Sequence, residues 1–412
     1  MLRRLTKIFQ SITGNTIQPG PIDTAGSDTT LIDLGYQPLV NNLCKTKEEA
    51  LAAKKYRLHA TIDDDLVIKL DTEVPACELY QNYLYYSGVN KPFVNHCRLL
   101  WHKLDHLKHD NIIDVGGNDG TLLKAFQSQT KDKLNLYNVD ASSSFREENT
   151  KAGITYVQGY FSKILSLPKA DLIISTNVFQ HTSDATKFVE GIAAHLNGVW
   201  ILEFPYTLNT IKTLQFDQFY HEHYYYWLVT PLDNFFKKHG LEIFHAEKLP
   251  IHGGTMRLWI TNKDSYAQTD AHLKFMQQEK EFDFKNWSSK VRAKIVTDRI
   301  FLANLKGKTA YFGAAAKGCV YLNSLNINIA NNPDAYVVDD TKEKQGLYVP
   351  GTGMRIVNRE FLYTDQPDNL VILAHNYKDY LIDSLRDNYE GRIITMLPTI
   401  DINMYDDYRI IN

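Results

Sequence analysis

Apolar residues fall in short dense blocks separated by polar and glycine-rich turns, and the lengths of those blocks predict the elements. Residues 111–117, 134–140, 170–178 and 198–204 are rich in apolar side chains over strand length, as expected of strands covered on both faces. Residues 184–196 between the last two have helical spacing. Strands alternating with helices predict a mostly parallel, doubly wound α/β sheet. Residues 241–249 and 255–261 follow as two closely spaced β runs, the pattern of an antiparallel edge hairpin. Residues 267–305 are charged, helical in period and free of proline, so one or two long helices are expected there. A strand, glycine turn and helix begin again at 308–318, with later β runs at 335–339, 369–374 and 392–396, predicting a second, smaller α/β unit. Ahead of these, a turn-rich stretch at 15–29 leads into an irregular region with short strand-like pieces such as 66–70. The organisation expected is a small N-terminal domain (1–95), a doubly wound domain (96–265), a helical connector (266–306) and a C-terminal α/β domain (307–412).

The 412-residue length exceeds what one hydrophobic core fills, in keeping with several domains. A net charge of −3 and the absence of a long basic run argue against nucleic acid as a partner. Cys44, Cys77, Cys97 and Cys319 lack C-x-x-C spacing, which argues against a disulfide framework and a structural zinc site and for a reducing, cytoplasmic compartment. No apolar run reaches membrane-span length, and the N-terminus lacks the apolar core of a secretory signal, so no membrane association is expected. Arg3, Arg4 and Lys7 alternate with Leu2, Leu5, Ile8, Phe9 and Ile12 in a basic amphipathic pattern, read as a surface helix packed on its own protein.

Candidate chemistry concentrates in two places. Asp114-Val115-Gly116-Gly117-Asn118-Asp119-Gly120 joins a strand to a helix, and its glycines let the backbone turn sharply and approach a ligand closely. A second strand ends in Asp140, twenty residues past Gly120, where a Rossmann-type fold receives ribose hydroxyls. An adenosine-containing cofactor is therefore expected. Asp119 would repel a diphosphate and suits a cofactor carrying positive charge, such as S-adenosylmethionine. It would equally serve as a helix cap, which leaves NAD as the competitor. The edge hairpin favours a methyltransferase over a dehydrogenase, since a purely parallel NAD domain does not need one.

The second place is Phe216-Asp217-Gln218-Phe219-Tyr220-His221-Glu222-His223-Tyr224-Tyr225-Tyr226-Trp227, which follows the strand at 198–204. Ligands of doubly wound folds bind beyond the carboxyl ends of the strands, so the location suits an active site. His221 and His223 alternate, whereas the zinc motif H-E-x-x-H sets its histidines one helical turn apart. Proton transfer by a histidine oriented by a neighbouring Glu or Tyr fits better than a metal. The plainer reading is an aromatic packing loop.

Several stretches, in order along nearly the whole chain, resemble one family. The loop at 114–120 resembles G-S-N-D-G, Asn177-Val178-Phe179-Gln180-His181 resembles N-V-F-x-H, and Phe216 to His223 resembles F-D-x-x-Y-H-E-H. His252-Gly253-Gly254-Thr255-Met256-Arg257 is similar to H-G-G-S-x-R, and Tyr311-Phe312-Gly313-Ala314-Ala315-Ala316-Lys317-Gly318 to Y-G-A-x-x-K-G. Val338-Asp339-Asp340, Gln345-Gly346 and Pro350-Gly351-Thr352 are similar to V-D-D-x-x-x-K-Q-G-x-x-x-P-G-T. Together they resemble the S-adenosylmethionine-dependent sugar C-methyltransferases that act on nucleotide-linked keto-deoxysugars.

The resemblance implies a class I methyltransferase Rossmann-like sheet between a small N-terminal domain and a C-terminal Rossmann-like domain that binds the nucleotide sugar. It implies a cofactor set of Gly116, Gly117, Asn118, Asp119, Gly120, Asp140 and Asn177. His223 would be the base, with Glu222 orienting or polarising it and Tyr220, His181 and Tyr85 steadying substrate oxygens. Tyr83 would bind the substrate, and Gly253, Gly254, Arg257, Lys317 and Gly318 would meet its sugar diphosphate, a surface strand residue being the nearly equal reading of Arg257. Family members begin with a zinc domain bearing two C-x-x-C pairs. Here Leu31-Ile32-Asp33-Leu34-Gly35-Tyr36-Gln37-Pro38-Leu39-Val40-Asn41 matches the family, but Ile22 and Ala25 replace the first pair, and the second falls at 62–66 with Asp63, Asp64 and Asp65. No zinc is expected, and the domain must hold by packing. Asn82-Tyr83-Leu84-Tyr85-Tyr86-Ser87 resembles the family's Y-x-Y-x-S. An O- or N-methyltransferase, or a non-catalytic cofactor-binding subunit, remain the alternatives. The chain is expected to be a monomer or a homo-oligomer.

Overall fold

The architecture comes from a computed structural model that describes residues 30–72, 74–79, 91–104, 106–107 and 109–403. The basic N-terminal stretch and the expected substrate residues Tyr83 and Tyr85 lie outside the described residues. Three sheets organise the described residues.

The central sheet contains β4 (Asn111–Val115), β5 (Asn135–Asp140), β6 (Thr155–Gln158), β7 (Ala170–Thr176), β8 (Leu196–Pro205), β10 (Leu241–Leu249) and β11 (Thr255–Asn262), in the order β10-β11-β8-β7-β4-β5-β6. β8, β7, β4, β5 and β6 are parallel, whereas β11 runs antiparallel to β8 and β10 antiparallel to β11. This is the α/β class I methyltransferase arrangement with its edge hairpin. Its strands are apolar on both faces because helices cover both. Ile112, Leu172, Ile174, Val199 and Ile201 pack with Trp101 of α1 (Lys91–Leu104) and Phe126 of α2 (Thr121–Gln127). The alternate residues Ile113, Val115, Ile173, Trp200 and Leu202 face the opposite cluster, with Phe188 and Val189 of α3 (Ala185–His195) and Phe236 of α4 (Val229–Lys237). Each such burial is worth about 1.5–3 kcal/mol.

A four-stranded sheet precedes it: β1 (Thr30–Pro38), β2 (Lys55–Ile62), β3 (Ile68–Leu70) and, from far along the chain, β9 (Tyr225–Tyr226). Where the family carries its second cysteine pair, the β2–β3 hairpin is closed by a carboxylate. Asp63 Oδ1 accepts from Asp65 N at 3.0 Å and Val67 N at 2.9 Å, with Leu66 at φ 63. Leu31, Ile32, Leu58, Ala60 and Ile68 of this sheet join the same buried cluster as the central sheet. Packing therefore ties the N-terminal strands to the central core.

The third sheet contains β12 (Thr309–Phe312), β13 (Val337–Val338), β14 (Ile356–Val357), β15 (Asn369–Ile372), β16 (Arg392–Thr395) and β17 (Asp401–Asn403), ordered β14-β13-β12-β15-β16-β17 and parallel except for β17. Two helices, α5 (Ala271–Lys280) and α6 (Trp287–Ala303), link it to the central sheet. They are more than a spacer. Glu279 of α5 accepts from Val229 N and Thr230 N, both at 2.7 Å, and so caps α4. Asp298 of α6 accepts from the Tyr321 hydroxyl at 2.8 Å, on α7 (Ala316–Ser324).

Candidate active site

The glycine loop lies at the carboxyl ends of β4, β5 and β7. Gly116 and Gly120 take positive φ (70 and 77), as does Asn118 (52), and Gly116 N bonds to Val139 O at 2.8 Å. A Cβ on Gly117 would lie 2.6 Å from both Asn138 Oδ1 and Asp114 Oδ2, so only glycine lets the loop sit down on the strand ends. Asp140 ends β5 with Oδ2 accepting from Asn118 N at 3.0 Å and Oδ1 from Ser142 N at 2.9 Å. Asp119 Oδ1 accepts from Thr121 N at 3.1 Å and Thr121 Oγ1 at 2.6 Å, which ties it to the first turn of α2. Asn177 follows β7 at φ 54, its buried Oδ1 without a hydrogen bond.

Three acids crowd this loop. Burial, then the charges of Asp140 and Asp119, push Asp114 up to about 8, and burial also raises Asp140. One Asp114 oxygen is buried without a donor. Such a loop would repel a pyrophosphate and attract a cation.

The second element is the loop between the turn Phe216–Gln218 and β9. It crosses to the N-terminal sheet, where Ile68 pairs with Tyr226, Lys69 pairs with Tyr225, and Leu70 N bonds to Tyr224 O at 3.0 Å. Tyr224 N returns to Gln180 O at 2.8 Å, fixing the loop against the end of β7. His221, Glu222 and His223 are all buried. The His223 ring packs edge-on to His181, centroids 4.7 Å apart, and against Tyr220 at 4.0 Å. Burial, then the charges of His181 and Lys317, hold His223 well below the usual histidine range, while the Gln218 carbonyl opposes them. Burial brings His181 down to about 4. Both rings are neutral at physiological pH.

Glu222 has its hydrogen-bond partner in the N-terminal segment. Its carboxylate takes a hydrogen bond from Asn41 Nδ2 at 2.6 Å, and burial, opposed by that bond, pushes it up to about 7. The ring of His221 packs on Tyr56 of β2, centroids 6.0 Å apart, and burial lowers its pKa against the opposing backbone groups of Arg57 and Tyr56.

The expected diphosphate residues divide. Lys317 and Gly318 open α7, and the Lys317 charge reaches both His223 and Asp217. A Cβ on Gly318 would lie 2.5 Å from Gly313 O, so this glycine lets helix and strand pack closely. Arg257 is corrected on both readings. It is 2% exposed, with Nε 2.6 Å from Glu203 Oε1 and Nη1 2.8 Å from Glu247 Oε1, so its charge is already balanced inside the sheet. Gly253 and Gly254 are likewise taken up by protein contacts. Their Cβ atoms would lie 2.5 Å from Asn376 Oδ1 and 2.4 Å from Asn209 Nδ2, and Gly254 N already bonds to Ile251 O at 3.0 Å.

With this geometry in place, the sequence matches a family described as a methyltransferase domain over residues 93–246 and another described as a C-methyltransferase C-terminal domain over residues 250–398. It is 24% identical over 409 residues to the C-methyltransferase NovU of Streptomyces niveus, covering 92% of this chain and 96% of that one. The chain is a SAM-dependent methyltransferase. Solved structures similar to part of this methyltransferase include the magnesium protoporphyrin IX methyltransferase of Synechocystis PCC 6803 with bound SAH. That match has 17% identity, covers 42% of this chain and 83% of that one, and has a TM-score of 0.34. Another is the 1,6-didemethyltoxoflavin-N1-methyltransferase of Burkholderia thailandensis, with 12% identity, 48% and 95% coverage and a TM-score of 0.36.

The acid-lined loop of the methyltransferase fits its cofactor. Asp119 and Asp140 would offer negative charge to the sulfonium and amino groups, while Asp114, pushed up to about 8, and Asn177 have buried oxygens with acceptor capacity to spare. Among the described residues, no group of three or more His, Cys, Asp or Glu side chains is arranged to hold a metal, and no helix is long and apolar enough to cross a membrane.

Three residues at this site carried no role in the sequence reading. Asn41 and Asp217 stand inside the quoted motifs, so a signal existed. His375 follows β15, and only the rule that sites gather at strand carboxyl ends points to it.

Proposed function

We propose that this methyltransferase transfers a methyl group to a carbon beside the keto group of a nucleotide-linked deoxysugar, with His223 as the base. A carbon nucleophile next to a ketone forms when a base removes its proton while hydrogen bonds hold the enolate oxygen. Bound S-adenosylmethionine supplies an electrophilic methyl group. The observation that carries the reading is the neutral, buried His223 ring, walled by His181 and Tyr220 at the carboxyl ends of the central strands. A neutral imidazole has a lone pair to accept the proton, and Tyr220 and His181 would hold substrate oxygens. Tyr83 and Tyr85 keep their proposed substrate role on the strength of the resemblance. Gly116, Gly117, Asn118, Asp119, Gly120, Asp140 and Asn177 would hold the cofactor, and Lys317 and Gly318 the acceptor.

His223→Ala should abolish turnover and leave S-adenosylmethionine affinity within about threefold, since binding and proton transfer use separate groups. The assay incubates the protein with S-adenosylmethionine and keto-deoxysugar nucleotides and locates the new methyl by mass spectrometry and NMR. A methyl on oxygen or nitrogen, or full activity in the variant, would refute the proposal.

A further inference from the structure

Behind the loop, the scheme above leaves one group of side chains unused. Asp217 is 1% exposed, and burial raises its carboxylate against the opposing Lys317 charge and the backbone N–H groups of Asp217 and Gln218. An isolated buried carboxylate is costly, so the fold must balance it with a cation or protonate it. Its neighbours come from the C-terminal sheet. His375 Nδ1 stands 3.4 Å from Asp217 Oδ2, and its Nε2 is 3.1 Å from Gln215 Oε1. Phe216 stacks on Tyr321 of α7, centroids 5.7 Å apart, so the root of the loop and the first helix of the C-terminal unit form one seam. Lys317 stands one turn before Tyr321 on the same face of α7, and its charge acts on Asp217, His375 and His223.

An ammonium beside a proton acceptor is unfavourable taken alone, because it repels the imidazolium that forms. The same ammonium becomes favourable once a negative charge develops between the two, in a site where solvent screens poorly. Removing a proton beside a ketone creates such a charge. The proton passes to His223, the C–H electron pair becomes a C=C bond, and the carbonyl π pair moves onto oxygen. When the carbon forms its new bond, that pair returns from oxygen to restore the carbonyl.

We infer that Lys317 is a catalytic residue that neutralises the oxygen anion formed on the acceptor, and that Asp217, seated against His375, is the positioning residue that keeps Lys317 charged and in place. The inference rests on the methyl-transfer reading above, and it gives Lys317 the reacting oxygen rather than the diphosphate. Asp217, His375 and His223 are the titratable groups on which the ammonium acts, and the His181 ring packs on His223. Burial lowers Lys317 and raises Asp217, while the attraction between the pair opposes both shifts.

The test uses the full chain with S-adenosylmethionine bound and ε-13C-lysine labelling, the Lys317 signal being the one missing from Lys317→Met. Asp217→Asn should lower the Lys317 midpoint by about one unit, about a tenfold change in the ratio of charged to neutral lysine, and move the alkaline limb of kcat down with it. Asp217→Glu should restore both. Lys317→Met should lower kcat about 100-fold with KM within about threefold. A Lys317 midpoint that stays in place in Asp217→Asn overturns the positioning role. A raised KM with kcat retained in Lys317→Met overturns the catalytic one and assigns the lysine to the diphosphate. Absence of methylated product from the wild-type protein overturns the functional reading instead, and the lysine titration still decides Asp217.

Discussion

Replacing Arg257 with Met tests whether this residue holds the sheet together or binds substrate. The guanidinium contacts Glu203 and Glu247 through separate nitrogens, and His96 Nε2 reaches the other Glu203 oxygen at 2.7 Å. Burial alone would raise Glu203, but Arg257 and His96 together pull it from 4.5 down to about 2. That depression of about 2.5 units corresponds to roughly 3 kcal/mol of stability. The sign is that of a depressed carboxylate: the contribution is complete above the unfolded value and is lost as pH falls through the folded one. Arg257→Met removes the main compensating charge and leaves burial, so Glu203 should rise above its ordinary value. The variant should then lose about 3–5 kcal/mol at pH 7.5, the usual cost of breaking a buried pair. That is a drop of about 10 °C or more in the first calorimetric transition for a unit of this size. It should recover part of the loss at pH 5, where Glu203 protonates, and Glu203→Gln in the same chain should restore more. A transition within about 2 °C of wild type at pH 7.5, or one that falls further on acidification, would refute this account and return Arg257 to the pool of ligand-binding residues.

Asn41→Ala removes the hydrogen bond that holds Glu222 down, so Glu222 should rise above about 7 and any acid limb of kcat/KM that depends on it should move to higher pH; an unchanged profile separates Glu222 from catalysis. Gly117→Ala forces a methyl into contact with Asn138 and Asp114, and calorimetric S-adenosylmethionine affinity should fall about tenfold or more while the distant C-terminal sheet melts normally. Gly253→Ala strains a residue at φ 87 and pushes on Asn376 and Gln215, so limited proteolysis should release the C-terminal unit sooner, at a cost of about 1–3 kcal/mol.

Local sequence determined the elements and much of the chemistry. Apolar runs of strand length marked β4, β5, β7 and β8, and two closely spaced runs marked the β10–β11 hairpin, because side-chain period and burial are properties of neighbouring residues. The glycines of the cofactor loop were legible for the same reason, since a steric limit on φ belongs to a single position. The two-residue strands β9 and β14 were not, being too short to carry a period. Pairing belonged to the tertiary structure alone. Asn41 meets Glu222 across 181 positions, and His375 meets Gln215 across 160. Arg257, legible only as a cation on a strand, became a buried partner of two glutamates because β11 lies between β8 and β10. Whether a charged side chain holds the fold or waits for a ligand depends on burial and on which opposite charge arrives beside it, and only the folded chain brings those groups together.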